Sequence, residues 1–170
     1  MTEYYYDACS LIYLTKIGAK ELLPCLGRVN ICVTVKDELL EDEGKHPDAK
    51  TLKENIDNCV IHIQESELIL TSSISNLGKG EKETIEYCLS DEAILVCDDR
   101  QAVNYAVGRG LIPKTSEFIL LDLFDKNVLA EEEFNEKFGR LATLKQLKLS
   151  IVDFFKTRAS EIAKKKGLHE

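Results

Sequence analysis

Residues 93–97, Ala-Ile-Leu-Val-Cys, are five consecutive apolar positions without a charge, and Asp98 and Asp99 follow at once. A short uninterrupted run rich in branched side chains and bounded by polar residues is the pattern of a strand buried on both faces. Before it, Leu77-Gly-Lys-Gly80 reads as a glycine turn, and Glu81–Ser90 as a helix whose buried stripe is Ile85, Cys88 and Leu89. Turn, helix, buried strand and terminal acids together make one unit of an α/β sheet. The spacing predicts that 93–97 is its central strand.

The rest of the chain repeats the theme. Glu3–Asp7 (EYYYD) reads as a strand ending in an acid, followed by a helix with Leu11, Ile12 and Leu14 inside and Gly18 as its stop. A second helix, AKELLPCLG, is interrupted by Pro24. The β-branched run VNICVTV (29–35) predicts a strand that passes into a helix with Glu38 in its first turn. Residues 45–58 are polar and helical, CVIHI (59–63) is a third strand, and 65–77 reads as a helix. After Asp99 come a helix closed by glycine and the segment LIPK, held to a sheet edge by Pro113. An apolar helix with Ser116 as its N-cap follows. Two final helices carry Phe134, Phe138, Leu141, Leu144, Ile151, Phe155 and Ile162 at helical spacing. Strands alternating with helices predict an α/β domain on a mostly parallel sheet.

Composition narrows the class. With 170 residues, 44% hydrophobic and 31% charged, the chain suits one globular domain rather than a disordered or fibrous one. Its apolar runs are too short to span a bilayer, and MTEYYYDACS lacks a leader's basic and apolar regions, so a cytoplasmic location is expected. The six cysteines (9, 25, 32, 59, 88, 97) form no CxxC pair, so they are expected as small core residues, and their spacing suggests no zinc site. Residues 136–170 hold nine Lys+Arg against four Asp+Glu, whereas residues 1–135 hold 13 against 26. An acidic body excludes broad coating of nucleic acid; the basic tail is free to meet phosphate or an acidic surface.

In parallel sheets, ligands bind beyond the carboxyl ends of the strands. Asp7, Asp98 and Asp99 occupy such ends, and Glu38 opens the helix after another. Each acid alone is unremarkable: Glu38 and Glu81 read as helix-start residues, and the Asp98–Asp99 pair as a cap. Together they suit a hard cation such as Mg²⁺, which takes oxygen ligands, lowers the pKa of a water and stabilises charge on a breaking phosphodiester. That chemistry needs no histidine or nucleophilic serine, and His46, His62 and His169 have no evident triad partners.

The ordered segments DACSLIYL, VKDEL, LGKGEKETIEYC and ILVCDDRQAVNYA resemble the PIN domain over about residues 3–140, and most of all its branch related to VapC-type toxins. The resemblance implies a three-layer α/β/α sandwich and a Mg²⁺- or Mn²⁺-dependent endoribonuclease. Asp7, Glu38, Glu81 and Asp99 then correspond to the catalytic acids, with Asp98 as an additional metal ligand and Glu83 in reserve. Residues 1–140 would form the nuclease domain, and 141–170 a helical extension packing on it or on a dimer partner. Ser10, Lys156, Arg158, Lys164, Lys165 and Lys166 are weaker candidates for RNA contact. The resemblance further implies the toxin of a toxin–antitoxin pair, a homodimer held inactive by a small antitoxin. Two rival readings are a PIN-fold nuclease of RNA processing or defence, and a non-catalytic acidic module that binds proteins. Two features depart from the family: Ala8 and Cys9 stand where hydroxyls are frequent, and Val103 and Asn104 where an arginine is.

Overall fold

A computed structural model of the chain describes residues 1–41, 47–65 and 76–168. Four strands, β1 (Glu3–Tyr6), β2 (Arg28–Cys32), β3 (His62–Gln64) and β4 (Ile94–Val96), form a parallel sheet in the order β3-β2-β1-β4. The helices are α1 (Ala8–Lys16), α2 (Val33–Leu40), α3 (Pro47–Asp57), α4 (Lys79–Asp91), α5 (Arg100–Gly108), α6 (Ser116–Asp125), α7 (Glu131–Lys145) and α8 (Leu149–Lys165). With the sheet between helices, this is the expected three-layer α/β/α sandwich.

The strand order explains where a ligand crevice must open. The chain leaves β1 through α1 toward β2 on one side, while β4 pairs on the other, with Tyr6 opposite Val96. At such a switch the connections diverge and leave a gap beyond the carboxyl ends. Asp7 follows β1 and Cys97–Asp99 follow β4, and the Asp7 N–H donates to Val96 O at 3.1 Å. Parallel pairing therefore brings residues about ninety positions apart to one edge.

Both middle strands are buried on both faces. Tyr4, Tyr5 and Tyr6 are all inside, and Tyr5 stacks on Tyr87 of α4 at 5.5 Å while its hydroxyl donates to Asp91 at 2.6 Å. In β2 the buried amide of Asn30 donates to Glu3 at 2.7 Å. Tyr5 and Asn30 are tolerated there because their polar tips find partners, whereas the buried Tyr6 hydroxyl has none among the described residues.

Several expectations shift. β4 lies outside β1 rather than at the centre, covered on its far side by a single bridge between Val96 and Lys114. The LIPK segment contributes that bridge and no longer strand. β2 ends at Cys32 and α2 starts at Val33, so Glu38 stands in the second turn of its helix, not the first. Val33, Thr34 and Val35 favour strands, but burial of Val35 and donation by the Thr34 hydroxyl to Glu83 at 2.5 Å are satisfied only in the helix. Cys59 turns with φ +56°, which delays β3 to His62. Lys20–Cys25, with Pro24 inside, is a 3₁₀ helix. Thr115 is the N-cap of α6, and Ser116 its first residue. The helix expected at 65–77 lies largely outside the described residues.

The carboxyl-terminal helices join this core. α7 runs continuously through residue 140, with Phe134, Phe138 and Leu141 buried, and α8 buries Phe155, Ala159 and Ala163. A chain of rings, Phe124–Phe134–Phe138–Phe155, links α6, α7 and α8 at centroid distances of 5.2–5.7 Å. From α7, Lys137 donates to the carbonyls of Ile17 and Gly18, and Arg140 to that of Lys16, so its cations close the end of α1. No helix among the described residues is long and apolar enough to cross a membrane.

Candidate metal centre

Asp7 is the deepest acid of the site, 3% exposed. It caps α1: its Oδ1 accepts the Ser10 N–H at 2.8 Å. Its Oδ2 is buried and has no hydrogen-bond partner among the described residues. A buried carboxylate oxygen left unpaired is costly in a folded protein. Burial raises the Asp7 carboxyl above its ordinary range, with the Asp98 charge adding to it, while the Cys97 thiol and Ser10 pull the other way.

Asp7 shares a small cleft with Cys9, Glu38 and Glu81. Glu38 projects from α2 across the start of α4, where Gly80 makes room: a Cβ at Gly80 would stand 2.7 Å from Glu38 Oε1 and 3.2 Å from Val35 Cγ2. Glu81, in the first turn of α4, accepts the Gly78 N–H at 2.9 Å. The carboxyls of Glu38 and Glu81 are both pushed upward, first by partial burial and then by neighbouring acids: Glu81 and Asp7 act on Glu38, Asp99 and Asp7 on Glu81. Asp99 caps α5 through the Ala102 N–H at 2.9 Å. Three of these acids therefore sit at helix N-termini, whose partial positive charge offsets part of their repulsion.

Asp98 faces elsewhere. Its Oδ1 accepts from Ser116 N at 3.0 Å and from Lys145 at 2.6 Å, and the Ser116 hydroxyl donates to Oδ2. Lys145 also reaches Glu117 at 2.5 Å. Both oxygens of Asp98 are thus engaged at the start of α6, away from the cleft. Glu83 accepts from Thr34, and Glu86 pairs with Arg109 at 2.8 Å.

The weaker candidates scatter. Ser10 is fully buried under Asp7, with its hydroxyl unpartnered, so it faces the core rather than solvent. Lys156, Arg158, Lys164 and Lys165 are exposed on α8, with Arg158 paired to Glu161 at 2.9 Å, and none lines the cleft. Lys166 donates to the Phe124 carbonyl and lies 4.6 Å from that ring. The cysteines divide: Cys32, Cys88 and Cys97 are buried as expected, but Cys9, Cys25 and Cys59 are exposed. The cleft and the Lys145 network went unsuspected in two places, Cys9 and Lys145, because neither carries a local sequence signal.

The donor set around Asp7 is oxygen-rich, anionic and short of partners, which fits a hard divalent cation. The side chains are not drawn together: among the described residues, no three His, Cys, Asp or Glu groups stand close enough to hold an ion as they are.

A parallel α/β/α sandwich with acids near its switch point is one of the architectures that nucleases use, among many other functions. The chain belongs to the PIN-domain family, whose model matches residues 4–151, from β1 to the first turn of α8. Proteins of this family are generally metal-dependent nucleases. The comparison with curated proteins gives no match.

Proposed function

We propose that the chain is a Mg²⁺- or Mn²⁺-dependent endoribonuclease that hydrolyses RNA phosphodiester bonds. The observation that carries this reading is the buried, unpartnered Oδ2 of Asp7, set in a cleft that Glu38 and Glu81 also line. Asp7, Glu38, Glu81 and Asp99 are the residues that hold the cation. Asp98 serves instead to fix the backbone from which Asp99 projects. When bound, the cation supplies positive charge to a phosphodiester as its bond breaks. Asp7 contributes a fixed ligand, because its burial and the Ser10 N–H hold its rotamer. Glu38 is exposed, so it can swing to admit substrate and cation.

The motif resemblance supports placing the nuclease in a toxin–antitoxin pair, with a small antitoxin as its inhibitor. Exposed Leu149, Ile151 and Phe154 on α8 support a homodimer, and α8 serves as the helical extension of the domain. A small adjacent reading frame with a DNA-binding amino terminus is the genomic sign of the antitoxin.

The test incubates purified protein and its Asp7→Asn variant with mixed structured RNAs, with and without Mn²⁺ or Mg²⁺. Cation-dependent cleavage lost in the variant is the expected result. Absence of both cleavage and calorimetric cation binding would overturn the enzyme and leave a protein-binding module.

A further inference from the structure

Lys16 and Arg140 stand together in an open groove of about 890 Å³ between the last turn of α1 and the carboxyl-terminal half of α7. Gly139, Thr143 and Leu144 also line it, and Glu136 is its single acid. The Arg140 guanidinium donates once, to the Lys16 carbonyl at 2.7 Å, which leaves its other N–H groups for a ligand. Lys16 is exposed and makes no ion pair among the described residues. Acids outnumber bases by 26 to 13 over residues 1–135, so this groove is a local reversal of the surface charge.

Gly139 is an independent observation at the same place. It sits inside α7, where glycine weakens a helix, and a Cβ there would meet nothing within 4 Å. Packing within the chain does not call for it. A strip of bare helix beside two cations lets the backbone of a ligand come close.

The groove is continuous with the acidic cleft along α1. Cys9, Tyr13 and Lys16 recur at the spacing of one helix face, the first lining the cleft and the last the groove. Lys145 follows Arg140 on α7, stands 5.7 Å from the centre of the Tyr13 ring and reaches Asp98, so α7 flanks the same path. Along the helix axis Lys16 lies about 13 Å from Asp7. A strand with one charge per roughly 3.4 Å covers that distance in about four nucleotides.

We propose that this groove holds the single-stranded RNA substrate on its way to the cleft, with Lys16 and Arg140 on its phosphates. The inference rests on the reading of the chain as a ribonuclease. The Thr143 hydroxyl donates to the Gly139 carbonyl at 3.1 Å, which leaves its oxygen to accept from a 2′-hydroxyl, and Leu144 offers a base apolar surface. An acidic peptide would also meet the two cations, but nothing would direct it along α1 to the acids.

Fluorescence anisotropy of a labelled RNA of about 12 nucleotides, without divalent cation so that nothing is cut, reads the contact directly. Lys16→Gln with Arg140→Gln should weaken binding by ~10-fold or more and flatten its salt dependence by about 0.7 per lost phosphate contact. Gly139→Glu, a change with room in the fold, should weaken binding while thermal stability is kept. Lys156→Gln with Lys164→Gln, on α8 away from the groove, should leave binding as it is. With Mn²⁺ present, the Lys16 and Arg140 variant should raise KM with kcat little changed, because the lost contacts lie away from the scissile bond. Unchanged RNA binding in that variant while the parent cleaves would overturn the groove alone, as would an equal loss in the α8 variant. Retained RNA binding with lost binding of poly-glutamate would give the groove to an acidic protein instead. A parent chain that neither binds nor cleaves RNA would overturn the ribonuclease reading itself.

Discussion

The ammonium of Lys145, in the last turn of α7, lies 2.6 Å from the carboxylate of Asp98, which follows β4. The side chain of Asp98 is 2% and that of Lys145 12% exposed, and Glu117 completes the group at 2.5 Å. The contact ties the end of α7 to the edge of the sheet where the cleft opens. It also accounts for two adjacent aspartates with different tasks: Asp98 turns to α6 and α7, leaving Asp99 to cap α5 beside the acids.

Removing the cation from this group should therefore be more damaging than removing a surface lysine. Lys145→Met leaves Asp98 and Glu117 buried beside each other without their partner. Breaking a buried pair in this way costs about 3–5 kcal/mol, against 1 or less for an exposed pair. Urea unfolding should show that loss, and adding Asp98→Asn with Glu117→Gln should recover part of it. An effect below ~1 kcal/mol would mean that the lysine is solvated.

Gly80 offers a cleaner separation of fold from site. In Gly80→Ala the new Cβ meets Glu38 Oε1, the far end of an exposed side chain, which can move aside. The Val35 contact at 3.2 Å asks only for a small adjustment, and alanine gains about 0.5–1 kcal/mol of helix preference over glycine. Stability should therefore change little, while displacement of Glu38 weakens Mn²⁺ binding, as calorimetry can measure. Loss of stability above ~2 kcal/mol with unchanged Mn²⁺ binding would place the importance of Gly80 in packing alone.

Glu81 has two tasks that one pair of variants divides. Its Oε2 accepts the Gly78 N–H, a helix-start role that an amide oxygen can keep. Glu81→Gln should then hold thermal stability within about 0.5 kcal/mol while losing most of the Mn²⁺ affinity. Glu81→Ala should lose both, with a capping cost near ~1 kcal/mol. Equal Mn²⁺ affinity in the glutamine variant and the parent would restrict Glu81 to capping.

What the sequence made legible follows from how far each signal reaches. Apolar runs and β-branched residues revealed the strands, and alternation with helices revealed the parallel sheet, because both depend on neighbours in the chain. Asp7, Asp99, Glu38 and Glu81 were legible as acids at element ends. Two things were not. The boundary at Val33 depends on Thr34 finding Glu83, 49 positions away, and the fate of Asp98 depends on Lys145, 47 positions away. Tertiary partners of that kind override local preference and leave no periodic trace. The position of β4 outside β1 was hidden for a related reason: the Lys114 bridge shields β4, so an edge strand carries the composition of a central one.

The acids of the cleft also set a pH dependence. Asp7, Glu38 and Glu81 all have carboxyls raised in the folded chain, chiefly by burial and then by other carboxylates. A folded acid with a raised pKa holds its proton where the unfolded chain has lost it. Its stabilising contribution is full below the ordinary carboxylate range and is lost as pH rises through the raised folded value. Without a divalent cation, thermal stability should thus fall as pH rises from the ordinary carboxylate range toward neutrality. A saturating cation that binds the ionised acids should flatten that decline, because it favours the charged forms. Asp7→Asn, which removes the most buried of the three, should show a shallower decline even without cation. Thermal unfolding across pH 4–7, with and without Mn²⁺, compares the two chains directly. A profile identical in both would mean that Asp7 titrates as an ordinary surface acid, and its unpartnered oxygen would then be reached by water.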